Sequence, residues 1–265
     1  MAAIDVHAHA FPDAIAKRAI RKLSSMGEWE AVGTGTVNGL VKSMDKADID
    51  VSVICAIATK PGQAEGILDW CRTIRSDRIE PFPSVHPDTP DAADWVGRMA
   101  ENDFAGVKLH PMYQEFAADE PRLDPIYAAA AEADLAVTLH CGLDIAFPPD
   151  DDRASVDRLV RVTEKHPKLK LVCTHLGAWK QWDQVAEKLV GRENVWLETS
   201  FSLQFLDAET ARDIIHRHGV ERVMLGSDWP WNDQETEIRQ LQALELGEEA
   251  ERKIFWSNAA RLLGY

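Results

Sequence analysis

The chain has 265 residues, of which 45% are hydrophobic, and it carries 29 Lys and Arg against 44 Asp and Glu, a formal net charge of −15. This charge excludes sequence-independent binding to nucleic acid or anionic lipid, because the long-range field repels polyanions. No apolar run approaches the roughly 18 residues that would span a bilayer, and no secretory signal is visible. We therefore expect a cytoplasmic protein that acts on a small molecule, with neither nucleic acid nor membrane as a partner.

Short β-rich apolar runs alternate with segments of helical periodicity along almost the whole chain. The eight runs are Ile4–His9, Val51–Ala58, Ile79–Val85, Gly106–His110, Ala136–Cys141, Leu169–His175, Val195–Thr199 and Val223–Asp228. The helical patterns are Pro61–Ile74, Asp91–Asn102, Pro121–Ala133, Ala154–His166, Lys180–Val190, Asp207–Arg217 and Glu235–Leu244. A closing helix pair is predicted for Glu248–Tyr265.

Strict alternation of strand and helix predicts a parallel sheet covered by helices, and eight repeats predict that the sheet closes into a barrel. One domain over residues 1–265, folded as an α/β (β/α)8 TIM barrel, also fits the chain length. An open doubly wound sheet is the alternative. It ranks lower because Phe11-Pro12-Asp13, and not a glycine-rich phosphate turn, follows the first run.

Two connections are longer than the others. One contains glycines from Gly27 to Gly39 and leads to a helix near Leu40–Ala47, and the second, Gly142–Asp152, follows the fifth run. Both are either lids over a site at the barrel mouth or ordinary surface connections.

His7 and His9 stand two residues apart in the first run, so their imidazoles point the same way, into the barrel. Such a pair alone is a weak signal, because buried histidines are often only hydrogen-bonded. The fifth and sixth runs, however, end in His140 and His175, and the eighth ends in Asp228. Active sites of these barrels are built from strand ends, and imidazole with carboxylate suits a divalent metal that keeps open positions.

The fourth run places Lys108 and His110 on one face, which we predict to bind substrate. Lys108 has three interpretations: a cation for a substrate carboxylate, which we favour, a carbamylated lysine bridging two metals, or a lysine paired with a buried acid. Tyr113 and Trp229 lie just beyond the fourth and eighth runs. We predict that they line an aromatic pocket; the alternative is packing among loops.

Five motifs resemble, in order, those of the amidohydrolase superfamily. The chain is similar to the amidohydrolase-related branch that includes aminocarboxymuconate semialdehyde decarboxylase and γ-resorcylate decarboxylase. The motifs are Asp5-Val6-His7-Ala8-His9, Gly106-Val107-Lys108-Leu109-His110-Pro111, His140, Thr174-His175-Leu176-Gly177 and Gly226-Ser227-Asp228-Trp229-Pro230.

The resemblance implies a TIM barrel of the metal-dependent hydrolase type that binds one divalent metal, commonly zinc, with manganese as an alternative. It implies that His175 stands beside the metal-bound water as general acid or base, and that Asp228 also moves protons. The implied metal ligands are His7, His9, His140 and Asp228.

Other branches of the superfamily bind a second metal through a carbamylated lysine on the fourth strand, and Lys108 lies near that place. We favour one metal, because Lys108 precedes His110 by two residues and so does not stand at the strand exit.

Two reactions fit these residues. We favour hydrolysis of a small amide, ester or lactone by metal-activated water, because Lys108 and a metal together would polarise a carbonyl and no arginine stands at the strand exits to hold a carboxylate. The alternative is non-oxidative decarboxylation of an unsaturated or aromatic carboxylate. A barrel that only binds a metabolite is less consistent with a complete ligand set and a spare proton-transfer residue. Exposed tryptophans would serve either a pocket wall or the interface of a homodimer.

Overall fold

The computed structural model describes residues 2–265 and contains eight parallel strands, each followed by helical structure. The strands are almost entirely buried, because helices cover the outside of the barrel and side chains fill its inside. They are β1 Ile4–Ala8, β2 Val51–Cys55, β3 Ile79–Phe82, β4 Gly106–Leu109, β5 Ala136–Leu139, β6 Lys170–Cys173, β7 Val195–Glu198 and β8 Val223–Met224. The predicted (β/α)8 TIM barrel is confirmed.

The helices follow the predicted alternation. They are α1 Asp13–Gly27, α2 Val37–Ala47, α3 Ala64–Ile74, α4 Ala92–Glu101, α5 Asp124–Glu132, α6 Val156–Lys165, α7 Trp182–Gln184, α8 Ala208–His218, α9 Gln234–Gln242, α10 Glu248–Arg252 and α11 Asn258–Leu263. A π-helical turn continues α7 to Leu189, and another joins α10 to α11 over Lys253–Ser257. The predicted closing helix pair is thus one unbroken helical segment. Within residues 2–265, no helix is both long and apolar enough to cross a membrane.

Helix α1 was not predicted. Its sequence is amphipathic, and Pro12 immediately precedes it, a residue that starts helices well because its φ is already fixed. The glycines of this long connection, Gly27 to Gly39, begin only where α1 ends. The insertion after β1 is therefore two helices joined by a short connection that contains Gly33 and Gly35.

The barrel wall consists of two continuous ladders, β1 to β3 and β4 to β8. Between β3 and β4, the Lys108 amide donates to the Pro83 carbonyl at 2.8 Å. Pro81 and Pro83 themselves have no N–H to donate, which explains why no regular ladder forms at this junction.

The junction between β8 and β1 is bonded more densely. The Val6 amide donates to Leu225 O at 2.9 Å, and the Asp228 amide donates to His7 O at 2.7 Å. Between Asp5 and Ala8 the register of β1 against β2 shifts, so that three steps along β1 match two along β2. Such a bulge re-aims side chains. It allows Asp5 to contact Gln234 of α9 while His7 joins the functional site.

The amino-terminal end of the barrel is covered by α11. Ile4, Val6 and Met224 form an apolar cluster with Ala259 and Leu262 of this helix. Because Ile4 begins β1, the helix lies at the end opposite the predicted ligands, which leaves the carboxyl ends of the strands for the site.

Gly106, at the start of β4, tests how tightly the wall is packed. A Cβ there would lie 2.4 Å from Phe82 Cε2 and 2.8 Å from the Ala136 carbonyl oxygen. We expect Gly106→Ala to lower the free energy of unfolding by about 1–3 kcal/mol, because the backbone oxygen cannot move aside cheaply. Urea denaturation measures this. Gly97→Ala in α4 is the matched control: with nothing within 4 Å of its Cβ, it should raise stability by about 0.5–1 kcal/mol. Equal effects would contradict the packing argument.

Candidate metal centre and active-site cavity

Three predicted ligands converge at the carboxyl end of the barrel. His7 Nε2 lies 3.2 Å from His9 Nε2, and Asp228 Oδ1 lies 3.6 Å from His7 Nε2 and 3.2 Å from His9 Nε2. One ligand atom from each residue therefore lies within 4.8 Å of the other two. His7 lies in β1, His9 directly follows this strand, and the segment after β8 supplies the carboxylate.

Hydrogen bonds on the far side of each imidazole fix which nitrogen carries the proton. His9 Nδ1 lies 2.8 Å from the Cys55 carbonyl oxygen, which can only accept, so this nitrogen donates and Nε2 keeps its lone pair. His7 Nδ1 lies 3.2 Å from Glu198 Oε1 and 3.0 Å from Ser200 Oγ. Burial, followed by the charge of Lys108, holds the pKa of His7 well below its usual range. The Nε2 atoms of His7 and His9 thus both face the carboxylate of Asp228.

This donor set fits a divalent cation. Lone pairs that point at a common centre repel one another unless a cation or a proton lies between them, and a carboxylate or carbonyl behind each histidine is the usual support for a metal ligand. Two nitrogens and one oxygen suit zinc, and also manganese, with positions left for water or substrate.

Glu198, at the end of β7, organises the floor of the site. Its carboxylate accepts from the amides of His175 and Ser200, both at 2.8 Å, in addition to facing His7. Burial raises its pKa. An added Cβ at Gly226 would lie 1.9 Å from Glu198 Oε2, so the glycine of the Gly226-Ser227-Asp228 motif leaves the space that this carboxylate occupies. Sequence reasoning missed Glu198, although it ends a strand.

His140, the fourth predicted ligand, is not placed in this group. Its Nδ1 lies 3.1 Å from His175 Nε2, and its Nε2 faces the Leu143 carbonyl at 3.1 Å. Its ring stacks on His110 at a centroid distance of 4.2 Å, and these two histidines form a second cluster with Asp144. The predicted proton-transfer residue, His175, therefore lies between His140 and the group of His7, His9 and Asp228.

The backbone is left-handed at three consecutive strand exits. His175 has φ 60°, Phe201 has φ 50° and Asp228 has φ 62°. A non-glycine residue in this conformation costs about 1–3 kcal/mol and persists where the surrounding structure holds it, commonly at functional sites. The two residues predicted to move protons both carry this strain.

A cavity of about 290 Å³ opens next to the group of His7, His9 and Asp228. The polar residues in its wall include His9, His110, His140, His175 and Asp228. Most of the remaining wall is apolar or aromatic. The aromatic side chains are Phe11, Trp29, Trp70, Tyr113, Trp179, Phe201 and Trp231. The cavity therefore has a small polar floor, and aromatic side chains line much of the rest of its wall. Tyr113 and His110, both predicted to bind substrate, line this cavity.

Two predicted substrate-binding residues lie elsewhere. Trp229 is only 2% exposed and does not line the cavity, and a Cβ on Gly33 would come within 2.3 Å of its ring. It packs against the α1–α2 connection, and Trp231 lines the cavity in its place. Lys108 is also fully buried behind the wall, with Nζ 3.2 Å from His7 Nε2. It contacts a predicted ligand, and not the space where a substrate would lie.

The cavity wall includes residues that the sequence analysis did not single out. Ile15 and Leu23 come from the unpredicted helix α1, and Ile67 and Trp70 come from α3. Their only sequence signal is the apolar face of each helix, which also matches ordinary core packing.

Glu237 of α9 holds the cavity residue Phe201 from behind. Its Oε1 accepts from the Phe201 amide at 2.9 Å and from Asn232 Nδ2 at 2.6 Å, and its Oε2 has no partner. Burial raises the pKa of this carboxyl well above its ordinary value of 4.5.

A model of a protein family described as Amidohydrolase matches residues 4–265. Decarboxylase orsB of Emericella nidulans is 22% identical to this chain over an alignment 284 positions long, gaps included, which covers 85% of each protein.

Among solved structures, an uncharacterized TIM-barrel protein from Bordetella bronchiseptica has a TM-score of 0.80 and 18% identity, covering 100% of this chain and 99% of that one. A 2,6-dihydroxybenzoate decarboxylase from Rhizobium has a TM-score of 0.71 and 17% identity, covering 99% and 98%. A 5-carboxyvanillate decarboxylase from Novosphingobium aromaticivorans, complexed with manganese and 4-hydroxy-3-methoxy-5-nitrobenzoic acid, has a TM-score of 0.70 and 16% identity, covering 99% and 96%.

The metal centre is tested by metal content per chain, measured by mass spectrometry after loading with zinc or manganese and desalting. We expect about one equivalent in the unaltered protein and a loss of at least roughly tenfold in Asp228→Asn, because asparagine removes a charged ligand. Asparagine tolerates the left-handed backbone at this position, so the fold should persist. Lys108→Met should keep the metal. Two equivalents that fall to none in Lys108→Met would contradict a mononuclear centre.

The buried carboxyl of Glu237 should make stability depend on pH. Because its pKa is raised in the folded state, the native protein binds the proton more tightly than the unfolded chain does. Its contribution to the free energy of unfolding therefore falls as pH rises from about 4.5 through the raised value. Glu237→Gln removes this dependence, so the variant should lose less stability than the unaltered protein between about pH 5 and about pH 8. Urea denaturation at both pH values measures this, with the exposed Glu248→Gln as control. Parallel curves for Glu237→Gln and the unaltered protein would refute it.

Proposed function

The chain belongs to the amidohydrolase family, and we propose that it is a metal-dependent decarboxylase that removes carbon dioxide from a small aromatic or unsaturated carboxylic acid. The observation that carries the proposal is the group of His7, His9 and Asp228 at the floor of an aromatic cavity. An aromatic wall suits a planar substrate, and a metal at the floor suits its carboxylate.

The names of the similar proteins favour decarboxylation over hydrolysis. The relative orsB is named a decarboxylase, and so are the similar 2,6-dihydroxybenzoate and 5-carboxyvanillate enzymes, although another similar structure is named a putative 2-pyrone-4,6-dicarboxylic acid hydrolase. The sequence-based preference for hydrolysis had two grounds. No arginine stands at the strand exits to hold a carboxylate, a part that the metal takes in this proposal, and Lys108 beside the metal would polarise a carbonyl. In the structure Lys108 is fully buried and lies outside the cavity wall, so that argument no longer holds.

A metal held by His7, His9 and Asp228 would supply positive charge that binds and orients the carboxylate; manganese and zinc both fit. We assign proton transfer to Asp228 and His175, the latter through Nε2. One proton is added to the ring carbon that bears the carboxylate. The carbon–carbon bond then breaks, its electron pair returns to the ring, and carbon dioxide leaves, so that one proton replaces one carbon dioxide. The aromatic wall excludes water and holds the ring in place.

We expect carbon dioxide release from 2,6-dihydroxybenzoate or 2,4-dihydroxy-6-methylbenzoate by the metal-loaded protein. His175→Asn and Asp228→Asn should each lower kcat/KM by about 10²-fold or more, because each removes a proton-transfer group, while asparagine tolerates the left-handed backbone at both positions. A coupled carbon dioxide assay measures the rate. The exposed His216→Asn is the matched control and should keep full activity. Hydrolysis of a matched aryl lactone without carbon dioxide release from any hydroxybenzoate would overturn the proposal in favour of a hydrolase.

A further inference from the structure

Apart from its histidines, the ionisable side chains that line the cavity are mostly acidic. Among the described residues that line it, the acidic side chains are Asp144 and Asp228, and none is a lysine or an arginine. Asp144 lies 3.4 Å from His110 Nε2, on the wall beside the stacked histidines. Positive charge would therefore be confined to the floor, where the metal would bind and where Lys108 lies behind the wall, with Nζ 3.2 Å from His7 Nε2.

The end of the cavity away from the metal is apolar. Leu23 of α1 and Ile67 of α3 line it, together with two residues that also reach the surface, Ile15, which is 38% exposed, and Ile145, which is 43% exposed. Exposed large apolar side chains at the rim of a concave site are typical of a surface that an apolar ligand covers.

The two segments that carry these rim residues meet. A Cβ on Gly27, at the end of α1, would lie 3.0 Å from Ile145 Cγ2 in the connection after β5. The apolar end of the cavity is therefore bounded by α1 and by residues 142–152, which contact each other at Gly27 and Ile145.

We infer that the substrate carries a single carboxylate and an apolar extension, alkyl or aryl, that lies between α1 and the connection after β5. A second carboxylate would lose its hydration with no cation to replace it, and Asp144 would repel it. This inference rests on the proposed function, because it takes the metal as the partner of the one carboxylate. It separates the chain from a protein that acts on 5-carboxyvanillate, which bears two carboxylates.

Direct binding tests the inference without requiring turnover. Isothermal titration of the manganese-loaded protein with benzoate, 3- and 4-butylbenzoate, isophthalate and terephthalate compares an added apolar chain with an added charge at the same ring positions. We expect at least one butylbenzoate to bind roughly tenfold or more tightly than benzoate, because it buries apolar surface. Both dicarboxylates should bind roughly tenfold or more weakly than benzoate.

Ile145→Lys supplies a cation at the rim and should reverse the preference, with tighter binding of a dicarboxylate and weaker binding of the butylbenzoates. Val32→Lys is the matched control, since Val32 is also apolar and exposed but does not line the cavity; it should leave all affinities unchanged.

Equal affinities for benzoate and both butylbenzoates, dicarboxylates that bind as tightly as benzoate, or no binding of any probe would each overturn the inference. The expected binding pattern without carbon dioxide release from any hydroxylated benzoate would overturn the proposed reaction, and only the preference of the cavity for one carboxylate and an apolar group would remain.

Discussion

The buried carboxylate of Asp5 joins the first strand of the barrel to the last, and the geometry of the site depends on that junction. It accepts from the Ser227 amide at 2.9 Å, from Ser227 Oγ at 2.6 Å and from Gln234 Nε2 at 2.7 Å, and the His7 amide donates to it at 3.1 Å. Burial raises the pKa of Asp5 to about 6, although each of these donors favours the charged form. The Asp5 carboxylate therefore holds together two ends of the chain that both carry proposed metal ligands.

The sequence predicts the parts of the site that depend on strand period and strand ends. His7, His9 and Asp228 come together because β1 and β8 are neighbours in a closed barrel, which alternation and chain length already indicate. Glu198 was missed because a single acid at a strand end gives no pattern. Its importance appears only with Gly226, whose missing side chain makes room for it.

Hydrophobic periodicity along the sequence does not determine which residues line the cavity. The left-handed conformation at Asp228 redirects the chain, so Trp229 turns into the protein and Trp231 reaches the cavity. Likewise, a helix between Asp13 and Gly27 and an irregular connection after β5 meet at a contact that no local pattern specifies. The direction of the His140 ring depends on its stacking with His110 and on the Leu143 carbonyl. The residues at the strand ends therefore indicate the class of reaction. The connections between strands and helices, which form the cavity wall, would determine which substrate fits.

Pro81 in β3 and Pro83 directly after it give the barrel wall a boundary of lower local stability. Because Pro81 and Pro83 have no backbone N–H, the β3–β4 junction is held mainly by side-chain packing and isolated hydrogen bonds. The β8–β1 junction has a nearly continuous row of backbone hydrogen bonds. Local opening follows the least bonded boundary of a fold. Thermal fluctuations of this barrel should therefore separate β3 from β4 before they disturb β1 and β8. The group of His7, His9 and Asp228, which lies at the β8–β1 junction, would be among the last parts of the molecule to lose its geometry.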